Sequence, residues 1–191
     1  MKWFQDMNKY NPKNDKKSKL LKIHRLCWVT VENTLFRFSP FIFWGWRRFL
    51  LRCFGANIAR TATVGRLARI EDPWNLTMGE RAMISNHTWI MCHAPVIMGN
   101  QAIVGEYAKI LTGSHVTNSN SFKGIVSGVT IGENAWIATN AMLISGGYKT
   151  LKIGEGAVIS AGAVVFNNVK PMAIMIGNPA KHIADREFTK D

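Results

Sequence analysis

Between Ile58 and Lys170 the sequence keeps a beat of six residues. Apolar residues recur at Ile58, Val64 and Ile70, at Met78, Ile84 and Ile90, and at Met98, Val104 and Ile110. The beat then stops, resumes at Ile131, Ile137 and Leu143, and closes with Ile153, Ile159 and Val165. The first three groups begin 20 residues apart, which is three hexads plus a slip of two. The fifth hexad position is Ala, Ser, Thr or Gly in 13 of 15 repeats, Trp74 and Val169 being the exceptions.

Few folds satisfy this pattern. A helix buries a residue every three or four positions and a simple strand every two. A period of six, with one large and one small inward residue per repeat, fits a short strand followed by a bend. Three such units close a triangular coil, and stacked coils bury a continuous aliphatic column. The expected fold is mainly β: a parallel β-helix of about five coils over residues 55–170. Glycine often follows the apolar residue (Gly79, Gly105, Gly132, Gly154), and it is read here as relieving the bends. Period alone leaves the hand of the coil open, and the general crossover rule favours right-handed winding.

The chain in front of the prism has a different texture. Residues 1–52 carry 12 Lys/Arg against 3 Asp/Glu, whereas residues 53–191 carry 12 against 9. Residues 1–22 are polar and lysine-rich and read as a loose tail. Residues 23–54 are aromatic and apolar, punctuated by arginine, with Ser39-Pro40 dividing two short helices at roughly 22–38 and 41–53. No apolar run there is long enough to span a bilayer. An aromatic, basic segment suits an anionic membrane surface, and it equally suits a cap that buries its aromatics against the open end of the prism. No nucleic-acid-binding motif accompanies the basic residues, so nucleic acid is not an expected partner. The cysteines Cys27, Cys53 and Cys92 form no spaced framework, which points to a reducing, cytoplasmic setting.

The repeat is interrupted once on a large scale. After Ile110-Leu111-Thr112-Gly113-Ser114-His115 a polar insert, residues 116–130, delays the next coil. An excursion from a strict solenoid is a place to look for function. His115 stands at its root, at an outward hexad position. His93 occupies a nearby position one coil earlier, close enough across the stack for one pocket to hold both. Cys92 reads as a buried thiol, and His87 as a structural or solvated histidine on the preceding face. Residues 171–191 read as a short C-terminal tail or helix.

Several motifs carry a resemblance. Residues 45–56, Pro73-Trp74-Asn75-Leu76, Leu111-Thr112-Gly113-Ser114-His115, Ala135-Trp136-Ile137-Ala138 and Gly177-Asn178-Pro179-Ala180-Lys181 together resemble the colanic-acid biosynthesis acetyltransferases. These belong to the hexapeptide-repeat acyltransferases, beside the galactoside and maltose acetyltransferases. The resemblance spans roughly residues 23–185. It implies a left-handed parallel β-helix, a homotrimer with active sites between neighbouring prisms, and acetyl transfer from acetyl-CoA to a sugar hydroxyl without a metal. His115 matches the catalytic histidine, whose imidazole takes the hydroxyl proton during attack on the thioester. By family position Asn86, Cys92 and His93 fall around the acceptor. Trp136, Ala138, Thr139, Ser160, Ala161 and Gly162 fall along the pantetheine groove, and Lys181 near the nucleotide phosphates. The chain departs from the pattern twice. Phe166-Asn167 replaces a Thr-Lys pair, and Cys92-His93 stands where relatives commonly carry Asn or Asp.

The expected function is therefore O-acetylation of a saccharide for exopolysaccharide or capsule, on an acceptor linked to lipid or nucleotide at the inner membrane face. Residues 23–54 would supply the peripheral membrane contact. Two other readings are open to the residues. A zinc hydratase on the same prism would need His87, His93 and His115 to converge on one ion, against the placement of His87 on another face. A non-catalytic solenoid scaffold would leave His115 without a task.

Overall fold

The computed structural model describes residues 15–115, 124–146 and 149–187. Most of the expected N-terminal tail, residues 116–123 of the insert, the slip at 147–148 and residues 188–191 lie outside the described residues. The first coil contains β1 (Asn57–Ile58), β2 (Thr63–Val64) and β3 (Arg69–Ile70). The second contains β4 (Leu76–Met78), β5 (Met83–Ile84) and β6 (Trp89–Met91), and the third β7 (Val96–Met98), β8 (Ile103–Val104) and β9 (Lys109–Leu111). A hairpin, β10 (Gly113–His115) and β11 (Gly124–Val126), then leaves the prism. Coil four returns with β12 (Val129–Ile131), β13 (Trp136–Ile137) and β14 (Met142–Ile144). Coil five is β15 (Leu151–Ile153), β16 (Val158–Ile159) and β17 (Val164–Val165).

These strands form three parallel sheets, one per prism face: A (β1-β4-β7-β12-β15), B (β2-β5-β8-β13-β16) and C (β3-β6-β9-β14-β17). The register places like on like. Ile58, Met78, Met98, Ile131 and Ile153 stack on face A. Val64, Ile84, Val104, Ile137 and Ile159 stack on face B. Ile70, Ile90, Ile110, Leu143 and Val165 stack on face C. All are at most 3% exposed, and each such burial contributes about 2 kcal/mol. At the fifth position Ala62, Ala82, Ala102, Ala135 and Ala157 are fully buried where the prism narrows.

The glycines after the apolar residues serve a different purpose from the expected one. Gly79, Gly132 and Gly154 do not have positive φ. A Cβ on Gly132 would lie 2.5 Å from the Glu155 nitrogen, and one on Gly154 2.3 Å from the Pro171 nitrogen. They permit close approach between coils. The bends are made two residues later by left-handed residues: Arg81, Gln101 and Asn134 on one edge, His87, Tyr107 and Asn140 on the next.

The first coil would present three open sheet edges, and the N-terminal segment closes them. Helix α1 (Asp15–Val31) runs into a π-helical stretch, Glu32–Phe36, and α2 (Trp44–Cys53) follows. Side chains from this segment reach the free main-chain groups of coil one. Arg52 donates to Ile58 O, Arg48 to Ala62 O, Arg47 to Val64 O at 2.7 Å, and Trp28 Nε1 to Ile70 O at 2.5 Å. Glu32 accepts from Ile70 N at 2.6 Å. Trp28, Phe36 and Leu51 are fully buried over the column. The segment is therefore a cap. Two boundaries differ from the sequence reading: helix begins at Asp15, inside the stretch read as a tail, and runs unbroken into the part of α1 whose Arg25 and Trp28 bind the prism. The C-terminal segment is a hairpin, β18 (Ala173–Ile176) and β19 (Lys181–Asp185), since β18 adds in parallel to β16 and so covers the last edge of face B.

Candidate active site

His115 ends β10, which pairs antiparallel with β11 so that His115 faces Gly124. The root of this hairpin is fixed by Thr112, buried at the edge where face C turns into face A. Thr112 Oγ1 donates to Met91 O at 2.6 Å and accepts from Ala94 N at 3.1 Å, while its carbonyl accepts from Ser127 N at 3.0 Å. The hairpin thus leaves the prism from a position held by the coil below and by its own return strand. His115 itself is exposed.

His93 lies on the same C–A edge, one coil lower. Its Cδ2 is 3.6 Å from where a Cβ on Gly113 would stand, two residues before His115. Its ring is flanked by two carboxylates from the coil beneath: Nδ1 lies 2.8 Å from Asp72 Oδ2 and Nε2 3.4 Å from Glu71 Oε2. The Asp72 hydrogen bond holds the His93 pKa above its ordinary value against the opposing effect of burial. Asp72 is only 3% exposed at its side chain, and it also accepts a two-pronged contact from Arg25 of α1 at 2.8 and 2.6 Å. Burial works to raise its pKa, yet the bonds from His93 and Arg25 outweigh that and hold it below the usual carboxylate value. Glu71 in turn accepts from Trp89 Nε1 at 2.9 Å and pairs with Arg69 at 3.3 Å.

Glu71, Asp72 and Arg25 escape the sequence reading. The signal for the carboxylates was present in the 20-residue coil period, which sets Glu71 and Asp72 beneath Met91 and Cys92. Cys92 is inside the prism and fully buried, its thiol donating to Asp72 O at 3.2 Å. Burial raises its pKa, and it offers no surface to an acceptor. Of the residues placed at the acceptor by resemblance, the structure therefore brings His93 to the His115 edge and withholds Cys92.

Asn86 stands on a different edge. It follows β5 at the B–C corner, where its Oδ1 accepts from Leu67 N at 3.2 Å. His87 beside it stacks on Tyr107 with ring centroids 4.8 Å apart, so His87, His93 and His115 do not converge. Among the described residues no group of three or more His, Cys, Asp or Glu is placed to hold a metal.

The residues expected along the cofactor groove gather on this B–C edge. Thr139 O accepts from Gly162 N at 3.0 Å, and Ser160 N donates to Met175 O at 2.9 Å. The 177–180 turn folds over the same corner, with Val164 N donating to Gly177 O and Ala180 N to Val164 O. That brings Lys181, exposed at the start of β19, over Ser160–Gly162. A Cβ on Gly162 would meet nothing within 4 Å, so this edge is open there. Trp136 is exposed on face B beside it and Ala138 is buried at its floor.

No family model matches the chain. A colanic acid biosynthesis acetyltransferase, WcaF of Escherichia coli (strain K12), is 30% identical over 187 residues, covering 97% of this chain and 100% of the relative. This chain belongs to that acetyltransferase family. Solved structures agree on the fold. A maltose O-acetyltransferase from Clostridium difficile 630 superposes with a TM-score of 0.77 at 25% identity, over 88% of this chain and 89% of the other. A hexapeptide-repeat acetyltransferase from Vibrio cholerae O1 biovar eltor, complexed with acetyl coenzyme A, superposes at 0.78 with 18% identity, over 94% and 93%. A prism of opposite hand would not superpose at this level, so the acetyltransferase winds as these do, in the left-handed sense the resemblance implied. In this acetyltransferase the histidine edge and the small-residue edge lie on opposite sides of face C, so one chain does not bring the two together.

Proposed function

We propose that this acetyltransferase moves an acetyl group from acetyl-CoA to a saccharide hydroxyl in exopolysaccharide or capsule assembly, with His115 as general base. The observation that carries the reading is the placement of His115 on an anchored hairpin beside His93. His115 removes the hydroxyl proton as the oxygen attacks the thioester carbonyl carbon. The tetrahedral oxyanion collapses, the C–S bond breaks, and the imidazolium returns the proton to the departing CoA thiolate. No covalent enzyme intermediate is needed.

His93, held by Asp72 and Glu71, orients the sugar. Trp136, Ala138, Thr139, Ser160, Ala161 and Gly162 line the path of the pantetheine arm, and Lys181 faces the nucleotide phosphates. The separation of the C–A and B–C edges supports a homotrimer in which the histidine edge of one chain meets the groove and Asn86 of its neighbour. The acceptor is a saccharide carried on a lipid or a nucleotide, and the protein works at the inner face of the membrane.

The test is CoA release from acetyl-CoA over a panel of sugar acceptors, comparing wild type with His115→Ala and measuring CoA binding in parallel. The expected result is CoA release by wild type and a fall of about a thousandfold or more in the variant with CoA binding unchanged. A variant with undiminished turnover would remove His115 from the mechanism.

A further inference from the structure

The cap does its structural work with few of its aromatic residues. Trp28 and Phe36 are buried, but Phe38, Phe41, Ile42 and Phe43 are 78, 65, 69 and 50% exposed, and Phe49 is 54% exposed. Several of them lie together in space. Phe41 packs edge-on to Trp44, Trp46 stacks on Phe49 at 5.6 Å, and Trp46 Nε1 donates to Leu35 O. Pro40, Phe43, Gly45, Trp46 and Phe49 line an open apolar groove of about 660 Å³. An apolar surface of this kind on a folded chain marks an interaction site.

The charge around it says what kind. From Asn33 to Ile70 the sequence has seven arginines and no Asp or Glu. Arg47 donates to Val64 O, Pro40 O, Phe41 O and Ser39 Oγ, Arg48 to Ala62 O and Arg52 to Ile58 O, and none of these neutral partners cancels their charge. Among the described residues none of Arg37, Arg47, Arg48 and Arg52 has a carboxylate within salt-bridge distance. Burial lowers the Arg47 pKa, and the charges of Arg66 and Arg48 lower it further, as expected of an uncompensated cationic cluster. A second copy of this chain meeting the patch face to face would set these arginines against one another.

We infer that the Phe38–Phe49 surface docks on an anionic phospholipid bilayer, its aromatic residues entering the headgroup boundary and the exposed Arg37 and Arg66 meeting lipid phosphates, with the buried Arg47 adding its charge from behind. No described helix is long and apolar enough to cross a membrane, so the contact is peripheral. Exposed Phe and Trp at a headgroup boundary with arginine behind them is the composition that such a surface favours. The reading above supplies the use, since a docked cap would bring the prism to a lipid-carried acceptor. The docking itself is measured without turnover, so its failure would leave the acetyltransferase reading in place.

The experiment is co-sedimentation of the full chain with vesicles of phosphatidylcholine alone, and of phosphatidylcholine with phosphatidylglycerol in equal parts. Wild type should pellet with the anionic vesicles and not with the neutral ones, and salt should release it. Phe41→Ser with Phe43→Ser should weaken that binding about tenfold or more while leaving thermal unfolding unchanged, because both side chains are exposed. Arg37→Glu with Arg66→Glu, both exposed, keeps the aromatic surface and should abolish the preference for anionic vesicles. Wild type that pellets with neither vesicle overturns the proposal, as does undiminished binding by both variants. If the Phe41/Phe43 variant instead splits an oligomer in sedimentation velocity while wild type ignores vesicles, the surface belongs between subunits.

Discussion

Asp72 and His93 meet at 2.8 Å across one coil step of the prism, and the same Asp72 carboxylate holds Arg25 of the N-terminal helix. One buried acid therefore fastens the cap to the corner that carries His93. Its two cations lie on the surface side, so it is stabilised by partners that water can also reach.

Asp72→Asn should destabilise the fold by about 2 kcal/mol, less than a fully buried pair because Arg25 and His93 are partly solvated. The pH dependence has a definite sign. His93 has a raised folded pKa, so its contribution is present at low pH and is lost as pH rises through that pKa. Asp72 has a lowered one, so its contribution is present above the unfolded value and is lost as pH falls through the folded value. Chemical denaturation across pH should show wild type losing stability at both ends and Asp72→Asn flattened.

Glu32 behaves oppositely to Asp72. Burial raises its pKa to about 7, against the hydrogen bond from Ile70 N. The folded chain then binds more protons than the unfolded one between the two pKa values, so stability falls as pH rises through that window. Glu32→Gln keeps an acceptor for Ile70 N and removes the charge. It should raise stability at pH 8 by about 2 kcal/mol and change little at pH 4.

Two glycine substitutions separate close approach from backbone conformation. Gly154→Ala would push a methyl group against the main chain at Pro171, and should cost about 3 kcal/mol or more. Gly162→Ala has open space but a φ of +69°, and should cost only about 1 kcal/mol. Thermal unfolding of the two variants side by side checks the order.

The composite site can be tested by mixing dead chains. On the proposed mechanism His115→Ala lacks the base, and Ser160→Trp blocks the path proposed for the pantetheine arm. If one chain's histidine edge works with its neighbour's groove, co-expression of the two should recover about a quarter of wild-type turnover at random mixing. A mixture as inactive as its components would put both halves on one chain.

The coil was legible because a solenoid is local. Every inward residue from Ile58 to Val165 is set by its own hexad, and the 13 small fifth positions record a narrow interior directly in the sequence. The place of His115 in the fold was legible for the same reason, since the break in the repeat marks the strand, β10, that it ends. The cap was half legible: its composition showed two functions competing for the same aromatics without dividing them.

The sequence by itself determined the prism, its five coils and the position of the interruption, because short-range periodicity fixes which side of each strand faces inward. Only the tertiary structure decided which aromatics are buried, since that depends on Trp28 and Phe36 reaching the open column while Phe41 and Phe43 project away from it. It alone joined Asp72 to His93 and Arg25, and separated Asn86 from His115. Those relations are made across coils and edges, where distance in space has no fixed relation to distance along the chain.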